Sequence, residues 1–279
     1  MELGITTLLT LERSAKGLKV ETTIDNTAKD HRIRVMIPAG LDASVHYADS
    51  TFEVVERPNR HGKAWKNPSA CEHQQNFVAM NDEKDGILVA NFGLYEYEVL
   101  PDMDNTIAVT LLRCTGEMGD WGAFPAPLAQ LPGVHTVTYE ILPYKKEEIA
   151  AAFTEGHLFQ TNLAVVSLAN KRGYLPEKAG NTEEKILPVK AGFFTWNGNG
   201  LNLTGFKQKD GGSDIIVRFV NETKETVELA IDRQEWFGEM YHSNVMEEES
   251  ETVALGEDFR YHMTVKPFEI FTVGIRRNG

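Results

Sequence analysis

The 279-residue chain has only two cysteines, Cys71 and Cys114, and neither belongs to a CxxC pair or a Cys/His ladder. Structural zinc is therefore unsupported, because closed zinc sites draw on clustered thiolates and imidazoles. A Cys71–Cys114 disulfide stays open, with reduced, buried thiols in a cytoplasmic protein the preferred reading. Positive charge is scarce as well: 28 Lys+Arg face 41 Asp+Glu, a formal net charge of −13. An acidic surface repels phosphate, and no Lys/Arg run offsets it, so strong nucleic-acid binding is excluded. No run of ~18 apolar residues exists, which excludes a transmembrane helix. The apolar stretches, such as residues 87–90, have strand length. Met1-Glu2-Leu3-Gly4 offers neither a basic segment nor a long apolar one, so no signal peptide is expected. Disorder is excluded too, since 42% hydrophobic residues can bury a large core.

What is present is period-two alternation. Leu18, Val20, Thr22 and Ile24 alternate with charged or polar neighbours, and so do Ile33, Val35 and Ile37. Each pattern predicts a strand with one dry and one wet face. The turn-rich residues 26–30 between them predict that the two form a hairpin. Tyr95, Tyr97 and Val99 lead through residues 101–105 to Ile107, Val109 and Leu111, a second hairpin. Residues 201–207 and 215–220 flank Asp210-Gly211-Gly212-Ser213 and predict a third. Strand-like runs continue over 225–231, 259–265 and 268–275, with Pro267 breaking the last ladder. Roughly eighteen to twenty strand candidates at ~8–12-residue spacing are the signature of sandwiches or barrels. The best helix candidate is residues 145–153, KKEEIAAAF. Residues 168–187 are polar, with Gly, Pro and Asn, and read either as a linker between two β domains or as a long excursion within one; the division is placed near residue 185, giving residues 1–185 and 186–279.

Catalytic motifs are missing. The eight histidines form no HExxH or His-x-Asp element; His46 three residues before Asp49 is a weak coincidence, and each His reads as a surface or strand residue. No G-x-S-x-G elbow or phosphate-binding glycine loop occurs, and Asn197-Gly198-Asn199-Gly200 reads as a hairpin turn. Glycosidases need two carboxyl groups at a set separation. Glu56, Glu72, Asp82, Asp85 and Asp120 are the carboxylates that fall in predicted loops. Residues 116–133 (GEMGDWGAFPAPLAQLPG) carry four glycines and three prolines and read as neither strand nor short turn. Loops that long are often functional. Within it, Trp121 could stack on the C–H face of a sugar while Asp120 accepts hydroxyl hydrogen bonds. Alternatively, Trp121 plugs its own loop. Trp65 lies in a polar loop, whereas Trp196 and Trp236 fall in strand patterns and read as core.

Several segments together resemble a known family. Thr51-Phe52-Glu53-Val54-Val55-Glu56-Arg57-Pro58, Gln74-Gln75-Asn76-Phe77-Val78 and Gly93-Leu94-Tyr95-Glu96-Tyr97 look like the C-terminal β region of glycoside hydrolase family 38, the α-mannosidases. Thr110-Leu111-Leu112-Arg113 before Gly119-Asp120-Trp121-Gly122, and Val265-Lys266-Pro267-Phe268-Glu269-Ile270, extend the resemblance to most of the chain. It implies an all-β fold: a large supersandwich, similar to galactose mutarotase, followed by a smaller β-sandwich. It also implies a retaining mechanism with an Asp nucleophile and a zinc ion, both in an N-terminal catalytic domain. No position here matches the zinc ligands or the nucleophile. The expectation is a non-catalytic region with no cofactor of its own, its zinc belonging to that absent domain. Its partners would be the catalytic domain and an α-mannoside, with no nucleic acid or membrane, and with homo-oligomers left open. A family loop from the β region approaches the substrate cleft; by position it is residues 116–133. Arg113, Asp120 and Trp121 are thus the expected substrate contacts. The alternative is a stand-alone carbohydrate-binding or interaction module.

Overall fold

The computed structural model describes residues 3–60, 62, 70–119, 124–161 and 192–278. The first part is built from β1 (Gly4–Thr10), β2 (Leu18–Asn26), β3 (Arg32–Ile37), β4 (Val45–Ser50), β5 (Glu53–Pro58), β6 (Cys71–His73), β7 (Phe77–Asn81), β8 (Asp85–Asn91), β9 (Glu96–Val99) and β10 (Ile107–Arg113). Two short strands, β11 (Glu117–Met118) and β12 (Phe124–Pro125), precede the long β13 (Gly133–Lys145) and helix α1 (Ile149–Leu158). The second part holds β14 (Trp196–Asn197), β15 (Leu201–Gln208), β16 (Ile215–Asn221), β17 (Val227–Asp232), β18 (Phe237–Ser243), β19 (Glu249–Thr252), β20 (Arg260–Val265) and β21 (Ile270–Arg277). The chain is all-β in class, as its alternation predicts.

In the first part a seven-stranded sheet, ordered β1-β2-β13-β8-β7-β4-β5, faces a four-stranded sheet, β3-β10-β9-β6. Val20, Ile24, Val78, Val89 and Tyr139 from the one meet Ile37, Tyr97, Ile107 and Val109 from the other. The larger sheet is covered on its outer face too. Phe77, Leu88, Ala90, Leu142 and Tyr144 pack there against Ala152 of α1. Burial on both faces explains why β7 and β8 read as continuous apolar runs rather than alternating ones. Gly156 lets α1 lie close: a Cβ there would meet Phe77 Cδ1 at 2.5 Å. In the second part, β14-β17-β20 and β15-β16-β21-β18-β19 form a smaller sandwich. Leu229, Ile231 and Met263 meet Val217, Phe219, Phe237 and Val273 across its core.

Four local expectations are corrected. β2 and β3 do not form a hairpin: β2 pairs with β1 and β13, whereas β3 pairs with β10 in the opposite sheet. The link between them is a crossover, fixed by buried Asn26, whose Nδ2 donates to Gln130 O at 3.0 Å and Leu131 O at 2.6 Å. Residues 197–200 likewise connect two sheets, since β14 pairs with β17 and β15 with β16. The helix is displaced: Lys145 ends β13, residues 146–148 make a 3₁₀ turn, and α1 runs on to Leu158. Finally, the described parts of residues 116–133 hold the β11–β12 ribbon and a 3₁₀ turn, Pro127–Gln130. The hairpins β9–β10 and β15–β16 form as predicted. The division at residue 185 lies outside the described residues, and described strands pair only within each part.

Candidate functional site

Arg113 ends β10 opposite Arg32 of β3, just after the register slips between Thr110 and Leu112. A bulge re-aims the side chains that follow it. Here Leu111 and Leu112 are both buried, and Arg113 emerges at the surface. The guanidinium of Arg113 pairs with Glu96 on β9. Glu96 also accepts from Thr110 Oγ1 at 2.8 Å and Arg32 Nη1 at 3.2 Å. Burial opposes its ionisation, but Thr110, Arg113 and Arg32 outweigh it and hold Glu96 below the usual carboxylate range. Arg32 Nη1 also donates to Cys71 Sγ at 2.9 Å, so Cys71 is a free thiol with a cationic neighbour. Cys114 is likewise free, and buried.

Beside this row lies an open cleft of about 360 Å³ lined by Asp30, His31, Arg32, Arg113, Cys114 and Thr115. It sits at the foot of the Gly/Pro-rich loop. Asp30 Oδ1 accepts from Gly116 N and Gln130 Nε2, each at 2.7 Å. Those bonds clamp the loop's base and hold Asp30 below the ordinary carboxylate range. Both ring nitrogens of His31 are hidden from solvent and have no hydrogen-bond partner among the described residues. Of the three substrate residues expected from sequence, Arg113 lies in this cleft; Asp120 and Trp121 fall outside the described residues, as does Trp65. The remaining carboxylates separate: Glu56 and Glu72 lie in strands, Asp85 opens β8, and Asp82 caps its turn by accepting from Lys84 N at 2.7 Å.

Two polar clusters escape sequence reasoning. Inside the large sandwich, His46 Nε2 lies 2.7 Å from Tyr97 Oη, and His46 Nδ1 lies 2.8 Å from Asn59 Oδ1. Arg57 Nη1 donates to the same hydroxyl at 2.9 Å and pairs with Glu72 at 3.1 Å. Burial pushes the Tyr97 hydroxyl well above its ordinary range, so it serves as a neutral relay in that network. At the junction of the two parts, His157 Nε2 lies 2.8 Å from Glu222 Oε2 and 3.9 Å from Asp49 Oδ1. Asn76 braces both partners: its N–H donates to Asp49 Oδ2 at 2.9 Å, and its amide lies 3.0 Å from His157 Nδ1. Burial pushes Asp49 up to about 6 against the pull of His157. Burial also works against a charged His157, yet Glu222 and Asp49 prevail and raise its pKa. Among the described residues this trio is the one group with converging ligand atoms suited to a cation. Its own hydrogen bonds already close it. No sequence signal ties Asp49 to His157 and Glu222, which lie on β4, α1 and the turn after β16.

The chain can now be set against known proteins. Residues 2–117 match the family described as glycosyl hydrolases family 38 C-terminal domain. Residues 200–273 match the glycosyl hydrolases family 38 C-terminal beta sandwich domain. A relative from Halalkalibacterium halodurans, named "Putative mannosylglycerate hydrolase", is 37% identical over 273 residues, 98% of this chain and 28% of that protein. The crystal structure of an alpha-mannosidase from Enterococcus faecalis V583 superposes with a TM-score of 0.80 at 34% identity, over 98% of this chain and 29% of that one. A second crystal structure from Enterococcus faecalis, of a protein in the glycosyl hydrolase family 38, gives a TM-score of 0.77 at 34% identity, over 98% and 30%. This chain therefore spans less than a third of the length of the relatives it matches.

Proposed function

The chain carries the C-terminal β-sandwich region of glycosyl hydrolase family 38, and from that premise we propose that it serves as the β part of a glycosidase that cleaves α-mannosides. The observation that carries this reading is the colinear match of both β units to the family, with 37% identity over almost the whole chain. In this reading the bond-breaking carboxylates and a zinc ion belong to a catalytic part of the same enzyme, working in the cytoplasm. No described residue is placed as a nucleophile or general acid.

The role of the β part is to seat that catalytic part and to send one loop toward the substrate. Edge strand β1 supplies a docking face: Ile5, Leu8 and Leu9 are 50%, 59% and 61% exposed. Apolar exposure on a sheet edge invites a cover, and in this reading the catalytic part provides it. The Asp30 clamp fixes the base of the loop. Arg113 stands at that base, and Asp120 and Trp121 are assigned to the sugar on sequence grounds. The test joins this chain to its catalytic part and assays aryl α-mannosides with and without zinc. Zinc-dependent release of the aglycone is expected, with Trp121→Ala lowering kcat/KM about three- to tenfold. No α-mannoside turnover by the joined protein would refute the reading.

A further inference from the structure

We propose that Asp49, His157 and Glu222 form a binding site for a divalent transition ion of the zinc class, placed across the joint of the two β units. The site lies apart from the Arg113 cleft and does not depend on the α-mannosidase reading above. Its three side chains come from β4, α1 and the turn after β16, and are 2%, 12% and 8% exposed. One ligand atom from each lies within 4.8 Å of the other two. The hydrogen bonds that close this trio leave one oxygen over. His157 Nε2 is engaged by Glu222 Oε2 at 2.8 Å, and Asp49 Oδ2 accepts from Asn76 N at 2.9 Å. Asp49 Oδ1 stands 3.9 Å from His157 Nε2, longer than a hydrogen bond, and carries none among the described residues. A buried carboxylate oxygen in that position calls for a proton, a water or a cation.

Charge selects the cation. Two carboxylates face one imidazole, and among the described residues neither is paired with a Lys or Arg. A protonated His157 offsets one negative charge at most, whereas a dication offsets both. Donor chemistry selects the ion. One imidazole nitrogen with two carboxylate oxygens suits zinc, which binds them at about 2.0–2.2 Å. Calcium takes about six to eight oxygens, and magnesium an octahedron of them. Around a zinc-sized ion, tetrahedral ligand atoms lie about 3.4 Å apart. The separations of 2.8 Å and 3.9 Å about His157 bracket that value, so small side-chain rotations bring these atoms onto one centre. Each carboxylate and the imidazole is also supported from behind. Asn202 Nδ2 donates to Glu222 Oε1 at 3.3 Å, and the Phe77 ring meets His157 in a T-shaped contact at 5.2 Å. The Asn76 amide lies 3.0 Å from His157 Nδ1. Turned over, it accepts from Nδ1–H and leaves Nε2 bare for the ion. A cavity of about 10 Å³, room for one water, touches Glu222 and gives space for a fourth ligand. Bound there, the ion ties β4 and α1 to the second sandwich; without it, the His157–Glu222 pair holds the same groups.

The test uses the 279-residue chain, stripped of metal with a chelator and titrated calorimetrically with Zn²⁺, Ca²⁺ and Mg²⁺ in turn. The expected result is one equivalent of Zn²⁺ bound in the micromolar range or tighter, with a rise in Tm. Ca²⁺ and Mg²⁺ should bind more weakly. Co²⁺ in place of zinc should give the visible absorption of a four-coordinate ion. Asp49→Asn and, from the other unit, Glu222→Gln should each weaken Zn²⁺ at least about tenfold, with circular dichroism checking that each variant is folded. His262→Gln removes an exposed His–Asp pair elsewhere on the surface and should leave Zn²⁺ binding unchanged. Absence of a stoichiometric Zn²⁺ site, binding indifferent to both carboxylate variants, or binding lost in His262→Gln would overturn the proposal. Ca²⁺ or Mg²⁺ held more tightly than Zn²⁺ would overturn the choice of ion. None of these readouts involves a sugar, so their failure leaves the functional reading standing, and failure to cleave α-mannosides leaves this site standing.

Discussion

His157 is the side chain on which the junction between the two parts turns. It lies between Glu222 and Asp49, its side chain 12% exposed, and removing it would leave two nearby carboxylates without their counter-charge. Breaking one side of a buried pair costs several kcal/mol. His157→Ala is expected to destabilise the chain by about 3 kcal/mol in a urea titration. Asp49→Asn should cost about 1 kcal/mol or less, because burial already disfavours the charged form and an amide oxygen can still accept from Asn76 N. The pH dependence follows in sign. A His whose folded pKa is raised gives stability that is full below its unfolded value, about 6.5, and is lost as pH rises through the folded value. Asp49, raised to about 6, acts in the same direction: its folded form binds a proton that the unfolded form releases near 4, so stability falls across that window. The stability gap between wild type and His157→Gln should therefore shrink from pH 6 to pH 8; a constant or widening gap would contradict it. This trio was not legible in the sequence. The helix read from composition ended at residue 153, short of His157, and no spacing in the sequence links Asp49 to Glu222. Arg113 was singled out only through the family resemblance, as the last residue of the Thr110-Leu111-Leu112-Arg113 segment before the glycine-rich loop.

At the scale of elements, alternation identified strands but not their partners. Val20 and Ile24 face the core as their spacing predicts, yet β2 crosses to its neighbours in one sheet while β3 enters the other. A period of two states which face is dry; it cannot say whether the next turn is a hairpin or a crossover. The deciding contacts, those of Asn26 with residues 130 and 131, come from a segment about a hundred residues away. Both parts use the same cross-strand device, which only the structure reveals. Tyr144 lies over Gly86 and Tyr241 over Gly274, each pair opposite in register. A Cβ on Gly274 would come within 2.1 Å of the Tyr241 ring, and one on Gly86 within 2.3 Å of the Tyr144 ring. Gly274→Ala should then cost about 1–3 kcal/mol, read as a fall in Tm. Gly4→Ala, whose Cβ would make an ordinary 3.6 Å contact on the exposed edge strand, should stay within about 0.5 kcal/mol of wild type. Equal losses at the two sites would show that the tyrosine covers are not the constraint.

For the whole molecule, two β-sandwiches are joined by charge as well as by chain. Besides the His157–Glu222 contact, Lys224 of the second part pairs with Glu56 of the first at 3.1 Å. The latter pair is exposed and contributes little; the buried trio carries the polar coupling. Such a joint fixes the second sandwich relative to α1 and the outer face of the larger sheet. The inner surfaces of both sandwiches are filled with side chains, and under the proposed function the unit acts as a scaffold. The apolar residues Ile5, Leu8 and Leu9 of edge strand β1 are exposed, and under the proposed function the catalytic part covers them. The fold class was readable from turn spacing and alternation alone, whereas the joint depended on contacts between distant segments. Under the proposed function this β region cleaves a glycoside only together with a catalytic part. The most direct measurement is steady-state hydrolysis of 4-nitrophenyl α-mannoside by the purified 279-residue chain, with zinc added or removed by chelation. No release of nitrophenol above the buffer rate is expected in either condition. Turnover that follows the chain through purification and vanishes on chelation would contradict it.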